Sequence, residues 1–181
     1  MTALGAALGT AGLLALSGCA PSPAPIAPVS ASPTADAPAF ASDAEALEAA
    51  RTSFTEYQAL STQIGHEGGV SPERMSAVAT GEALADEIRS FQGLVEGGLR
   101  GIGDLKFDSL TLQSADLASG NVTTYLCLDT SQADLVDKSG ASAVTPDVAR
   151  RYPLEVRFTL ANQSPRLLVQ ESATWSGTNF C

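Results

Sequence analysis

The chain has 181 residues, 44% of them hydrophobic, and sets ten Lys and Arg against twenty Asp and Glu. A net charge of −10 argues against nucleic acid and anionic lipid headgroups as partners, because both would repel it. The length suits one domain, and a single histidine excludes a His-rich zinc site.

Residues 1–18 carry no charged side chain. Ala3 to Leu16 is a run of Ala, Leu and Gly with one Thr. It falls short of the roughly 20 apolar residues that span a bilayer and has the character of a signal-peptide core. It ends in Leu16-Ser17-Gly18-Cys19, which resembles the lipobox of bacterial lipoproteins. The resemblance implies a diacylglycerol on the Cys19 thiol and cleavage just before it. Cys19 then fastens the chain to the extracytoplasmic face of a lipid bilayer, and two acyl chains anchor stably where one does so marginally. The departure from pattern is the absence of Lys or Arg before Arg51; a start upstream of Met1 is expected to account for it. Residues 19–41 then form the lipidated Cys and a linker. Six of the ten prolines fall in this stretch, among Ala and Ser, so it is expected to be a semi-rigid spacer without a core. Residues 42–181 remain as the folding unit.

Ser42-Asp43-Ala44-Glu45 has the spacing of a capping box. Leu47, Ala50, Phe54, Tyr57, Ser61 and Ile64 follow at three- and four-residue steps, one face of a helix of about 20 residues. Gly65 to Gly69 breaks it. Pro72 sits where a first helical position would favour it, and Thr80 offers a further start. Ala83, Leu84, Ile88, Phe91, Leu94 and Val95 form the next apolar stripe, and Gly97-Gly98 ends it. Strands are expected afterwards. Leu105 to Gln113 alternates with a change of phase that a bulge near Asp108-Ser109 reconciles. Asn121 to Asp129 places Val122, Thr124, Leu126 and Leu128 on one face and Thr123, Tyr125, Cys127 and Asp129 on the other. Residues 130–150 are polar, with a turn at Lys138-Ser139-Gly140. Leu154 to Leu160 and Arg166 to Trp175 flank a short turn at residues 162–165 and are expected to form an antiparallel hairpin.

With Cys19 assigned to lipid, Cys127 and Cys181 remain. Two thiols in an exported domain are expected to pair as a disulfide. Closing a loop of this size is worth about 4 kcal/mol by chain entropy.

Helices followed by a run of strands make an α+β domain. The order, together with Thr80 to Leu84, Cys127 to Ser131 and the closing hairpin, resembles the NTF2-like (cystatin-like cone) superfamily, and more narrowly actinobacterial NTF2-like lipoproteins. The resemblance implies N-terminal helices packed on a curved antiparallel sheet, with a mouth that holds a small apolar ligand, and frequently a homodimer. Tyr57, Tyr125, Asp129 and Trp175 are the candidate pocket residues of such a cone. Family enzymes that move protons beside a carbonyl pair an Asp base with a Tyr donor; Asp129 and Tyr125 lie four apart on one strand face, but no family catalytic motif matches there. His66, beside Glu67 in a Gly-rich turn, suits an exposed loop residue better than a general base.

The expectation is therefore a membrane-anchored lipoprotein whose domain binds a small apolar ligand or an envelope protein, with no catalytic residue, cofactor or metal assigned. The alternatives are an isomerase- or dehydratase-like pocket enzyme using Asp129 with Tyr125, and a structural dimerisation module of the cell envelope.

Overall fold

The computed structural model describes residues 38–161 and 166–181. Cys19, the signal-peptide run, most of the linker and the turn at 162–165 lie outside the described residues.

Helix α1 spans Asp43–His66. Ser42 caps it, accepting from the Glu45 amide at 3.2 Å, while the Glu45 carboxylate reaches back to the Ala41 amide at 2.7 Å. One amide that the helix leaves without a partner, that of Glu45, is thereby satisfied, and the chain entering the helix is tied to its first turn. A 3-10 helix, Pro72–Ala77, follows. Helix α2 covers Gly81–Gly97 and ends on Gly98 in the left-handed conformation, as its glycine pair implies.

Four strands make the main sheet, in the order β2 (Lys106–Asp116), β3 (Asn121–Asp129), β5 (Arg151–Leu160) and β6 (Leu167–Thr174), all neighbours antiparallel. The expected bulge is present: the β2–β3 register slips between Asp108 and Thr111, and Ser109 has a φ of 55°. A second slip follows between Leu112 and Ser114, and a third between Arg157 and Phe158. Each extra residue bends its strand and increases the local twist. The edge of β6 is covered. Val78 and Thr80, just after the 3-10 helix, exchange backbone hydrogen bonds with Val169, which removes open ladder groups from that edge.

Two short strands escaped the sequence reading. β1 (Arg100–Gly103) pairs antiparallel with β4 (Ala133–Val136) in a separate two-stranded sheet. Both come from segments that glycine and polar content mark as loops. Gly103 allows the close pairing: its φ is +71°, and a Cβ there would lie 1.8 Å from the Gln132 carbonyl oxygen.

The core fills the space between helices and sheet. Phe54 and Ile64 of α1, Met75, Phe91 of α2, Leu126 of β3, Val156 and Phe158 of β5 and Val169 of β6 are all buried. Phe54 meets Phe107 edge-on at 4.9 Å between ring centroids, a favoured aromatic geometry. Phe40 is also buried, and its amide donates to the Leu117 carbonyl at 3.1 Å. Helices against an antiparallel sheet form the α+β architecture that the NTF2-like resemblance implies. No helix among the described residues is long and apolar enough to cross a membrane.

Candidate functional site

The inner face of the sheet is the face that pattern alone could not choose. Val122, Thr124, Leu126 and Leu128 point at the helices and are buried. Thr123, Tyr125, Cys127 and Asp129 therefore lie on the outer face. This divides the four candidate pocket residues. Tyr57 sits inside, between helices and sheet, whereas Tyr125, Asp129 and Trp175 belong to the outer side and do not meet it.

On the outer face the C-terminal tail returns across β3. Cys127 is joined to Cys181 with Cα atoms 5.7 Å apart. Tyr125 packs against Trp175 at 5.0 Å and Phe180 at 6.0 Å between centroids. Tyr125 and Trp175 are half-buried, and Cys127 is buried beneath the tail. Asp129 accepts from the Ser131 amide at 2.8 Å, and bonding to Ser131 holds its carboxyl below the usual range. A carboxyl poised as a general base is shifted the other way. The pair is thus separated from the interior and lacks the burial that an isomerase-like role for Asp129 demands.

His66 is the last residue of α1, not a loop residue. Its Nε2 donates to the Gly103 carbonyl at 2.7 Å and ties the helix end to β1. Neighbouring Glu67 is held by Gln63 and Arg74, so the two side chains form no acid–base pair.

Two adjoining clefts open between the helices and the sheets. The first, of about 310 Å³, lies where α1 ends, under α2 and the small β1–β4 sheet. Phe91, Leu94, Leu105, Leu135, Val144 and Tyr152 give it apolar walls. Arg150 also lines it and donates to the Ala133 carbonyl at 3.1 Å. Its volume lies at the lower end of the range for small-molecule sites, about 300–1,000 Å³. The second, of about 260 Å³, lies between the two helices and the sheet. Ser61, Leu105 and Tyr152 border both. A cleft of about 460 Å³ at the other end of α1 borders Ala39 and Phe40, next to chain that falls outside the described residues.

Glu87 dominates the second cavity. The Tyr57 hydroxyl donates to its Oε1 at 2.7 Å, and Ser61 donates to the same carboxylate at 3.1 Å. Burial raises the Glu87 carboxyl above its ordinary value, and the Asp86 charge adds to this; Tyr57 and Ser61 oppose it. Burial, and then the Glu87 charge, push the Tyr57 phenol upward, so it stays protonated and donates. Sequence reasoning missed Glu87. The signal was available: it falls four residues after Ala83 and four before Phe91, a carboxylate on the buried stripe of α2.

Among the described residues, no group of three or more His, Cys, Asp or Glu side chains is placed to hold a metal ion. No protein-family model matches the chain, and no curated protein matches it. Among solved structures, the chain is similar to the intermembrane space region of the chloroplast protein ARC6. The identity is 16% and the TM-score 0.52, over 72% of this chain and 97% of that one. It is also similar to Aln2 from a Streptomyces species, with 20% identity and a TM-score of 0.39 over 69% and 88% of the two chains. The likeness to the ARC6 region is one of fold.

Proposed function

We propose that this protein is an extracytoplasmic binding protein, held to a membrane through acylated Cys19, whose apolar cleft takes a small apolar ligand. The observation that carries the binding reading is the apolar cavity of about 310 Å³ walled by Phe91, Leu94, Leu135 and Tyr152. A concave, mostly apolar site with a few polar groups is the usual form of a small-molecule site. The lipobox-like run supports the anchor, and the Cys127–Cys181 disulfide suits an oxidising compartment.

Native mass spectrometry of the purified chain tests the binding reading: adducts of a few hundred daltons that disappear on unfolding are expected. Absence of any such adduct, together with no binding of short-chain hydrocarbons or alcohols in titration, overturns it. The anchor has its own test. Radiolabelled palmitate should enter the wild type in its native bacterium, and label retained by Cys19→Ala overturns the assignment.

A further inference from the structure

The second cavity specifies a charge for whatever enters. Two carboxylates, Asp86 and Glu87, line it, and no Lys, Arg or His side chain does. Asp86 is already paired with Arg89 at 2.7 Å. Glu87 accepts from two neutral hydroxyls and has no cationic partner among the described residues. A half-buried carboxylate without a counter-ion costs free energy that a bound cation recovers.

We propose that the cavity pair takes a small apolar amine, its ammonium against Glu87 and its hydrocarbon body along Phe91, Leu94 and Tyr152. This rests on the binding reading above and adds the ligand's chemical class. Ser61, Leu105 and Tyr152 border both cavities, which sets the apolar walls of the first beside the carboxylate of the second. The protein's own net charge of −10 draws a cation toward the site.

The test compares hexylamine, 1-hexanol and hexanoate by titration calorimetry against the full chain at neutral pH. The three share a hydrocarbon body and differ in the charge of the head. Hexylamine is expected to bind at least about tenfold more tightly than hexanol, with hexanoate weakest. Glu87→Gln keeps an acceptor for Tyr57 and Ser61; a thermal melt checks that it folds. It should erase the amine's advantage and leave hexanol unchanged. Glu82→Gln removes the same charge from an exposed position and should preserve the advantage. Hexanol binding as tightly as hexylamine, or an advantage that survives Glu87→Gln, overturns the amine inference while the apolar cavity stands. Hexanoate binding best also overturns it and shifts attention to Arg150. Failure of all three to bind overturns the inference and the binding reading together.

Discussion

The Tyr57 hydroxyl donates to Glu87 Oε1 across 2.7 Å and joins the two helices beside the cavity. The bond places a carboxylate where water is scarce, and its cost is visible in pH. The Glu87 carboxyl is raised from its ordinary value of 4.5, first by burial. Below 4.5 the group is protonated in both folded and unfolded chains. Above it the unfolded chain releases the proton first, so the folded chain holds more protons and stability falls as pH rises through the raised value. Glu87→Gln never ionises. Its melting temperature relative to wild type should therefore move in the variant's favour as pH rises from 4.5. A difference that stays flat between pH 4 and 8 refutes the raised carboxyl.

Asp108 behaves with the opposite sign. It lies at the bulge of β2, and Arg151 of β5 donates to it at 2.8 Å. Hydrogen bonding to Arg151, then to Ser109, lowers its carboxyl from 3.8 to about 2. The unfolded chain takes up the proton first on acidification, so this contribution is complete above 3.8 and is lost as pH falls towards 2. Asp108→Asn should flatten the acid limb of a melting-temperature profile between pH 5 and 2. An unchanged acid limb means the pair is an exposed contact without energetic weight, as many surface pairs are.

Helix faces and strand alternation were legible because each is periodic. The Ser42 cap, the Asp108-Ser109 bulge, the end of α2 at Gly98 and the closing pair of strands all carry local chemistry that one sequence displays. The site was harder for a physical reason. Alternation in β3 separates Tyr125 from Leu126 but does not say which side the helices cover. Cys127 is buried on the outer face, where it is joined to the tail through Cys181. The cavity walls from β1 and β4 form by pairing between segments about thirty residues apart, a contact with no local pattern. Val95, expected on the apolar stripe, is 57% exposed, while Glu87 lies on the buried side.

Gly103 controls one wall of the apolar cavity. Its φ of +71° favours glycine, and a Cβ would lie 1.8 Å from the Gln132 carbonyl oxygen. Gly103→Ala must therefore separate β1 from β4, since the obstacle is backbone. A cost of about 1–3 kcal/mol is expected from overpacking, read by denaturant unfolding, with a loss of hexanol affinity because Gly103, Ala133 and Leu135 all line the cavity. Gly140→Ala is the comparison. Gly140 also has a positive φ, but nothing lies within 4 Å of its Cβ position. It should lose some stability to backbone strain alone and keep its affinity. Equal losses of affinity in the two variants refute the role given to Gly103.

Cys181 fastens the tail, and Trp175, the one tryptophan, reports on it. The tail turns at Gly177, where a Cβ would meet the Trp175 indole at 2.4 Å, so the backbone lies directly against the ring. Phe180 then reaches Tyr125, and the Arg151 guanidinium donates to the Cys181 carbonyl at 3.2 Å. Cys181→Ser leaves these weak contacts to hold the tail alone. The loop closed by Cys127 and Cys181 has a sequence separation of 54, for which chain entropy gives about 4 kcal/mol. Two effects are expected together: a fall in stability of up to that size, and a red shift of tryptophan emission in the native state as the indole gains water. The core between helices and sheet does not involve the tail, so hexanol affinity should persist. A blue or unchanged emission with full loss of stability means that the tail stays in place without its covalent bond, and that the disulfide acts on the unfolded chain alone.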